Sequence, residues 1–531
     1  MKVLVCDPIS TKGIVLLQQR PEFKVTVLEK RLSEAELLPL VSDVVAMVVR
    51  SETKVTRKVI EAASKLRVVG RAGVGVDNID VEAATQRGVV VMNTPGGNTI
   101  STAELSFAML LGLARKLPQA HGSMVAGKWD RKQFQGAEVF GKTLGVLGMG
   151  RIGSEVAKRA LAFGMKVLAY DPFLTDARAR AIGVDLVDLD EVYRDADFVT
   201  VHMPVTDQTR GMLNAEAFGK MKPRVCIVNC ARGEIIVEND LLAALDSGKV
   251  AAAALDVYAT EPLPENHPFR KQPGITLTPH LGASTQEAQE KCGIEVAEVI
   301  AGYLLTGEVR NAVNLPYLDA KTYEQVKPYL VLGEKLGRLL AQLAPPQVDR
   351  LHITYGGKAK DLPNIDPITR SILQGFLSRA SVKDLNNVNV RSIASTLGLT
   401  VEEKRSSEPV TFNEWLHVQA SSGGMKLISA GGTFFGSPDN PRIVRLFSQP
   451  TEIVPFGVVL LLKNKDRPGI VGYLGTLLSK HKLNIASMSL SRDTAGGHAL
   501  TVLNLDSVPP AEVLDEIRKD PDISDVQVVK L

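Results

Sequence analysis

Residues 145–171, GVLGMGRIGSEVAKRALAFGMKVLAYD, decide the fold of this chain of 531 residues. A short apolar strand leads into Gly148, Gly150 and Gly153, spaced as G-x-G-x-x-G, and a helical stretch follows them. In a dinucleotide-binding turn the first glycine permits the tight turn, the second lets the backbone approach a pyrophosphate, and the third lets helix and strand pack closely. The pyrophosphate then lies against free N–H groups at the positive end of the helix.

The acidic residue at the end of the next strand indicates which dinucleotide binds. Asp171 follows the last glycine by about 20 residues, where a carboxylate accepts hydrogen bonds from the ribose hydroxyls. Its charge would repel a 2′-phosphate, so the spacing favours NAD over NADP. A glycine turn alone is a weak signal, because such turns also occur without a ligand. The flanking strand, the helix and the spaced acid together favour a nucleotide site.

Strand and helix alternate over the first 95 residues and again from 140 to 280. Continuous apolar strands separated by helical stretches predict parallel sheets covered on both faces. The strands predicted in the first unit are KVLVCD (2–7), VTVLE (25–29), VAMVVR (45–50), LRVVGR (66–71) and VVVMN (89–93). Those predicted in the second unit are KTLGVLG, KVLAYD, DFVTVHM, RVCIVNC, AAAALDVY and GITLTPH. Six such strands predict an α/β protein with a Rossmann-type doubly wound domain.

Two helical segments are expected to connect these units. In TPGGNTISTAEL (94–105), Ser101 and Glu104 have the spacing of a capping box, so we expect a helix to begin there. The amphipathic stretch at 284–305 is long enough to return the chain to the first unit, which would then be discontinuous.

The last part of the chain has a different pattern. Residues 317–453 carry mixed short strands and glycine-rich turns. From residue 455 the order strand, helix, strand, strand, helix, strand predicts a ferredoxin-like module of about 75 residues.

Bulk composition excludes several classes of function. A net charge of +3 without a Lys/Arg run gives no support for nucleic-acid binding. Four cysteines do not make a disulfide framework, and no Cys/His spacing is typical of zinc, so we expect no metal. There is no apolar stretch long enough to span a membrane and no signal-peptide pattern, so we expect a cytoplasmic protein.

Three polar residues follow three strands of the second unit, where the ligand crevice of an open α/β sheet lies. They are Arg232 in NCARGE, Glu261 in DVYATEP and His280 in TLTPH. A neutral histidine can take a hydroxyl proton while hydride leaves the same carbon. A carboxylate on its other ring nitrogen would orient it, and an arginine can hold a substrate carboxylate with two hydrogen bonds. This set suits hydride transfer between a nicotinamide and a 2-hydroxy acid.

Each of these residues also has an ordinary structural interpretation. Arg232 can be a surface ion-pair partner, and Glu261 a turn residue. Any one of the eight histidines is more often structural than catalytic. His202, after another strand in VHMP, is the main alternative base. Three such residues beside a dinucleotide motif favour the catalytic interpretation.

At GMGRIG, NCARGEIIVE, ALDVYATEPLPENHP and TPHLGAST the chain resembles the D-isomer-specific 2-hydroxyacid dehydrogenase family, over residues 1–315. The resemblance implies that the catalytic residues are Arg232, Glu261 and His280. It also implies that NAD binds beside Arg151, Ile152, Met203, Cys230, Ala231, Asp256 and Gly282, as well as the three glycines and Asp171.

Further stretches are similar to the members of that family that oxidise 3-phospho-D-glycerate. These are VRSETKVT (49–56), GRAGVGVDNID (70–80) and NTPGGNTISTAEL (93–105). A substrate with both a phosphate and a carboxylate needs several cationic groups, and the backbone at 73–75 can form an anion nest. The resemblance implies that substrate binds at Arg50, Ser51, Arg71, Gly73 and Val74, and at Arg131 and Lys132 of a neighbouring subunit. For the last two, a solvated turn remains the alternative.

The same resemblance implies the organisation of the whole chain. It places a discontinuous flavodoxin-like substrate domain at 1–97 and 285–315 and an NAD-binding domain at 98–284. An α+β intervening regulatory domain at 316–453 and a ferredoxin-like ACT domain at 454–531 follow. A dimer or tetramer is implied as well.

The C-terminal module is similar to effector-binding modules at NKDRPGIVGYLGTLL (464–478). Asn464, Asp466 and Asn484 correspond to positions that bind L-serine across a paired interface. In serine-regulated relatives the first position is often His or Tyr, so L-serine regulation stays open.

Two alternatives remain at this stage. One is a reductase for glyoxylate, hydroxypyruvate or 2-oxoglutarate that uses the same three residues. The other is an NAD-gated, corepressor-like binding protein, which is disfavoured because such proteins carry disordered tails.

Overall fold

The computed structural model describes residues 1–316, 320–345, 348–380, 385–408 and 414–531. Its first sheet has five parallel strands in the order β2-β1-β3-β4-β5, a flavodoxin-like arrangement. The strands are β1 (Lys2–Val5), β2 (Lys24–Val27), β3 (Ala46–Val49), β4 (Val68–Arg71) and β5 (Val90–Met92). The helices are α1 (Thr11–Gln18), α2 (Glu34–Leu37), α3 (Arg57–Ala62) and α4 (Val81–Gln86). β1, β3 and β5 are almost completely buried, as expected for strands covered by helices on both faces.

The second sheet has seven parallel strands in the order β12-β11-β10-β9-β6-β7-β8. They are β6 (Thr143–Leu147), β7 (Lys166–Tyr170), β8 (Asp185–Leu186), β9 (Phe198–Val201), β10 (Val225–Asn229), β11 (Val250–Leu255) and β12 (Ile275–Leu277). The strand order reverses between β6 and β9, which places a ligand crevice beyond their carboxyl ends. The two-residue β8 is missing from the six predicted strands, because two residues leave no periodic signal.

Helices cover both faces of this second sheet. They are α5 (Thr99–Arg115), α6 (Leu117–Val125), α7 (Arg151–Ala162), α8 (Asp176–Ile182), α9 (Leu189–Asp195), α10 (Ala215–Lys220) and α11 (Glu238–Asp246).

The predicted capping box of α5 is wrong. The helix begins at Thr99 after Asn98, whose side chain makes no capping hydrogen bond. Ser101 Oγ instead lies 2.8 Å from Thr285 Oγ1. Contacts with distant segments therefore outweigh the local capping pattern.

The long helix α12 (Gln286–Thr306) returns the chain to the first sheet. Thr285 caps its N-terminus by accepting a hydrogen bond from the N–H of Ala288 at 3.1 Å. The helix packs against α1 and β4. A Cβ at Gly13 would overlap the carbonyl group of Gly293, so glycine is required where α1 and α12 cross.

The third unit has a six-stranded sheet in the order β14-β13-β15-β16-β17-β18, in which only β13 and β14 pair in parallel. The strands are β13 (Arg350–Gly357), β14 (Thr400–Arg405), β15 (Glu414–Ser422), β16 (Met425–Phe434), β17 (Pro441–Leu446) and β18 (Gln449–Ile453). The helices are α13 (Ala320–Leu343), α14 (Asp366–Leu377) and α15 (Val390–Thr396). A Cβ at Gly337 of α13 would overlap the carbonyl oxygen of Ile372 in α14, so these two helices are in backbone contact.

The fourth unit is an antiparallel sheet in the order β20-β21-β19-β22. Its elements are β19 (Val458–Lys465), α16 (Ile470–Lys480), β20 (Ile485–Arg492), β21 (His498–Leu505), α17 (Ala511–Arg518) and β22 (Ile523–Lys530). One face packs on α16 and α17, and the other contributes Leu461, Val502 and Val529 to the apolar core around α13.

The architecture confirms the predicted fold class: two parallel α/β sheets, a mixed α+β unit and a ferredoxin-like module. All four cysteines are free, and three of them are buried. Within the part of the chain that the structure describes, every helix is too short or too polar to cross a bilayer.

Candidate active site

The glycine turn follows β6 and opens α7. Gly148 has a φ of 96°, and a Cβ there would meet the carbonyl oxygen of His202 at 2.7 Å. A Cβ at Gly153 would overlap the carbonyl of Gly148, so the helix packs directly on the turn. At Gly150, the N-cap of α7, no atom lies within 4 Å of an added Cβ. That open cradle at the positive end of a helix fits a pyrophosphate.

Asp171 lies beside this turn at the end of β7. Its Oδ2 accepts a hydrogen bond from the N–H of Met149 at 2.7 Å, and its Oδ1 accepts one from Phe173 at 2.8 Å. These bonds aim the carboxylate at the mouth of the turn. Each oxygen keeps a lone pair for a ribose hydroxyl.

The other predicted cofactor residues lie around the same crevice. Arg151 and Ile152 form the first turn of α7. Met203 follows β9, and a Cβ at Gly148 would lie 2.7 Å from its Cγ. Cys230 and Ala231 follow β10, and burial raises the pKa of the Cys230 thiol to about 12. The thiol is therefore neutral and acts as a small apolar wall.

His280 and Glu261 form a pair beyond β11 and β12. Nδ1 of His280 lies 2.7 Å from Oε2 of Glu261, and their side chains are 45% and 36% exposed. Burial opposes ionisation of Glu261, but the hydrogen bond and charge of His280 outweigh it and hold the pKa of Glu261 below its ordinary value. Because an ionised carboxylate only accepts hydrogen bonds, Nδ1 carries the proton. In the neutral form of the ring Nε2 is then an acceptor, and no described residue bonds it.

The loop that carries His280 is held by Asp256, which is completely buried. The carboxylate of Asp256 accepts hydrogen bonds from the N–H of Leu281 at 2.7 Å, the N–H of Gly282 at 2.9 Å and the hydroxyl of Thr278 at 2.6 Å. Burial raises the pKa of Asp256 despite these bonds. They fix a backbone in which His280 has a φ of 55°, in the left-handed region.

Arg232 lies opposite this pair and bonds across the cleft to the first domain. Asp77 Oδ2 accepts a hydrogen bond from Nε at 3.0 Å and forms an ion pair with Nη2 at 2.9 Å. Nη1 donates to the carbonyl of Ala231 at 2.7 Å. No described side chain bonds the end-on edge of the guanidinium, between Nη1 and Nη2, and such an edge suits a carboxylate ligand.

Arg71 adds a second cation to the same cleft. Burial, and then the charge of Arg232, lower the pKa of Arg71 to about 10. A Cβ at Gly73 would overlap the guanidinium of Arg71, and one at Gly75 would overlap that of Arg232. Among the described residues the N–H groups of Val74 and Gly75 find no acceptor. Two guanidinium groups and two free N–H groups therefore surround one small region that suits an anion.

The backbone of Arg50 is held by a buried acid that no sequence motif identified. Asp7, which is 1% exposed, accepts hydrogen bonds from the N–H of Arg50 at 2.6 Å and from the N–H of Thr53 at 3.1 Å. The side chain of Arg50 donates to the carbonyl of Pro8 at 3.3 Å, and Ser51 beside it is exposed. Its position directly after the apolar strand KVLVC was the one sequence feature that could have identified Asp7.

Two predicted substrate residues are not brought to this cleft within one chain. Arg131 and Lys132 lie in the exposed segment between α6 and β6. No described hydrogen bond or ion pair joins them to the residues above.

The alternative base, His202, has a different environment. Its Nε2 lies 2.9 Å from the hydroxyl of Thr200, and burial lowers its pKa to about 4. Such a ring stays neutral at physiological pH and already has a structural partner.

The three predicted effector residues do not converge within one chain. Asn464 is buried and bonds Thr501 at 2.8 Å, while Asp466 accepts a hydrogen bond from Arg492 at 2.8 Å. Asn484 donates to Asp506 at 2.8 Å, at the opposite end of β20. The ends of this strand are about 25 Å apart, so a site that joins all three residues requires a second chain.

Three known domain families match successive parts of the chain. The NAD-binding domain of the D-isomer-specific 2-hydroxyacid dehydrogenases matches residues 107–282. The D-3-phosphoglycerate dehydrogenase intervening domain matches residues 325–447, and the ACT domain matches residues 458–522.

Relatives cover the full length of the chain. D-3-phosphoglycerate dehydrogenase of Synechocystis sp. is 44% identical over 530 residues, which are 100% of this chain and 95% of the relative. The enzyme of the same name from Methanocaldococcus jannaschii is 42% identical over 533 residues, which are 100% of both.

Solved structures match about three fifths of the chain. A protein of Thermus thermophilus is 35% identical with a TM-score of 0.55, covering 59% of this chain and 100% of its own. The NAD⁺-bound 3-phosphoglycerate dehydrogenase of Entamoeba histolytica is 29% identical with a TM-score of 0.51, covering 60% and 99%.

Fold and matches together define an NAD-dependent dehydrogenase of the D-isomer-specific 2-hydroxyacid class. Within that class the chain belongs to the D-3-phosphoglycerate dehydrogenase family, in the form that carries an intervening domain and an ACT domain. The predicted fold, family resemblance and NAD cofactor are thereby confirmed.

Proposed function

We propose that this protein oxidises 3-phospho-D-glycerate to 3-phosphooxypyruvate with NAD, the first step of L-serine biosynthesis. The observation that carries the proposal is the 2.7 Å pair of His280 and Glu261, with the Arg232 guanidinium in the same charged cluster. The full-length relatives named D-3-phosphoglycerate dehydrogenase support the choice of substrate.

In this proposal His280, Glu261 and Arg232 each have a separate role in the reaction. Nε2 of His280 takes the proton of the C2 hydroxyl, which becomes a carbonyl. Glu261 keeps the imidazole in the required tautomer and stabilises the imidazolium that forms. The end-on edge of Arg232 holds the substrate carboxylate. Bound NAD⁺ supplies the acceptor for the hydride that leaves C2, and Asp171 and the glycine turn hold that cofactor.

The cations of the first domain give the site its preference for a phosphorylated acid. Arg71 lies beside Arg232, and Arg50 is held near it by Asp7. A substrate with one carboxylate needs only one of these groups, whereas phosphoglycerate carries additional negative charge. We therefore assign Arg50, Arg71 and the N–H groups of Val74 and Gly75 to the anionic end of the substrate.

A substrate panel tests the proposal. NADH formation is followed with 3-phospho-D-glycerate, D-glycerate, D-lactate and D-2-hydroxyglutarate. We expect the highest kcat/KM for phosphoglycerate. The Arg50→Gln variant should lose more activity with phosphoglycerate than with D-glycerate. An equal loss with both, or a better non-phosphorylated substrate, would contradict the assignment.

The same proposal covers the effector, the oligomeric state and the cellular location of the protein. Two chains that pair through their ACT domains would bring Asn484 of one to Asp466 and Asn464 of the other, so we propose a homo-oligomer that binds L-serine there. Sedimentation velocity and inhibition assays with L-serine test both points, with Asn484→Ala as the variant.

Arg131 and Lys132 would reach a neighbouring subunit in that oligomer. A cytoplasmic location is proposed with it and can be tested by cell fractionation.

A further inference from the structure

A second cationic site lies at the amino-terminal edge of the first sheet, away from the cleft. There a cavity of about 490 Å³ separates the first sheet from the third unit. Its lining includes, from the first domain, Lys65, Arg67 and Arg87, and from the third unit, Gln374 and Asn386. Cavities of this size are large enough for a small metabolite.

All the charged side chains in this lining are cationic. Lys65, Arg67 and Arg87 contribute to it, and no Asp or Glu does among the described residues. None of these three cations forms an ion pair with a described residue, whereas neighbouring Lys58 pairs with Glu34 at 3.5 Å. Like charges that share a cavity repel one another unless a counter-ion is present. An anionic ligand would remove that repulsion.

Part of the lining is already held in place. The Arg67 guanidinium lies 5.6 Å from the centroid of the Tyr303 ring, which fixes its position against α12. On the other side, Asn386 donates a hydrogen bond to the carbonyl of Gly88 at 3.1 Å, which joins the third unit to the first domain. The amide of Gln374 makes no hydrogen bond with a described residue and can donate to a ligand.

We propose that this cavity binds a small polyanion, a phosphorylated or polycarboxylate metabolite, and that the ligand joins the first domain to the intervening unit. The site is distinct from the proposed substrate site. Arg67 precedes β4 and Arg71 ends it, so the two sites lie at opposite ends of one strand, roughly 13 Å apart along it.

Calorimetric titration of the full-length protein with pyrophosphate, in the presence of saturating NAD⁺ that fills the glycine turn, tests the proposal. The double variant Lys65→Gln/Arg87→Gln removes two of the cations and keeps Arg67, which packs on Tyr303. We expect its affinity for pyrophosphate at this site to fall by about 30-fold or more, because two charge-assisted contacts are lost. The matched control Arg20→Gln/Lys24→Gln removes two exposed cations of the same domain outside the cavity and should bind as the unmodified protein does.

The Arg50→Gln variant separates this site from the substrate site. Pyrophosphate binding that survives Arg50→Gln and is lost with Lys65→Gln/Arg87→Gln supports the cavity. Binding lost only with Arg50→Gln, or weakened equally by the Arg20/Lys24 control, would overturn it. Hydrogen exchange of the unmodified protein gives a second readout. Pyrophosphate should slow exchange at both 63–67 and 385–389, and protection of only one segment, or of neither, would refute the bridging ligand.

Discussion

Replacing Glu261 by Gln removes the negative charge opposite His280 while keeping an oxygen that accepts the Nδ1 proton. Nδ1 of His280 lies 2.7 Å from Oε2 of Glu261, and the side chains of His280 and Glu261 are 45% and 36% exposed. A hydrogen bond to a charged group contributes about 1.5–3 kcal/mol. Solvent screens a half-exposed pair, so the lower part of that range applies, about 1.5–2 kcal/mol. We expect kcat to fall roughly 10- to 30-fold.

The pH dependence of the same variant gives a sharper result. The carboxylate stabilises the protonated imidazole, so its removal makes His280 easier to deprotonate. The acid limb of the pH–rate profile for NADH formation should therefore move to lower pH. The assay compares profiles of the unmodified protein, Glu261→Gln and the control Glu265→Gln, which alters an exposed carboxylate in the same loop. An acid limb that stays in place, or an equal effect in the control, would show that Glu261 does not act on His280.

Three further substitutions test other parts of the structure. Asp77→Asn should raise the KM for substrate about 10-fold, because the side edge of Arg232 loses its charged partner. The effect should vanish in an Arg232→Ala background. Glu82→Gln is the control. In initial-rate assays Asp171→Ala should raise the KM for NAD and reduce the preference of the enzyme for NAD over NADP. Unchanged KM values for both cofactors would show that Asp171 does not bind the cofactor. Gly337→Ala should destabilise the chain by about 1–3 kcal/mol in urea unfolding, because its Cβ meets the backbone of α14. Gly219→Ala, where a Cβ meets open space, should be neutral or stabilising.

The parallel sheets were predictable because their strands are short, apolar and unbroken. The glycine turn and Asp171 were predictable because their chemistry lies within one strand–helix–strand segment. His280, Glu261 and Arg232 were predictable as candidates, since parallel strands end at the same edge of a sheet.

Partners that lie far away in the chain were not predictable. Asp77 meets Arg232 from 155 residues away, and Asp7 meets Arg50 from 43 residues away. Ser101 was predicted to cap α5 but bonds Thr285, which only the return of α12 brings near. The cavity beside Arg67 depends on how the third unit docks, and no local pattern encodes that arrangement.

The central claim is that His280 is the base of the reaction. It is tested most directly by comparing His280→Asn with His202→Asn, since Asn tolerates the left-handed backbone of residue 280. We expect His280→Asn to lower kcat by about 10²- to 10⁴-fold with NADH affinity retained in a fluorescence titration, and His202→Asn to lower it far less. A His280→Asn enzyme that turns over within a factor of about 2 of the unmodified protein would contradict the claim.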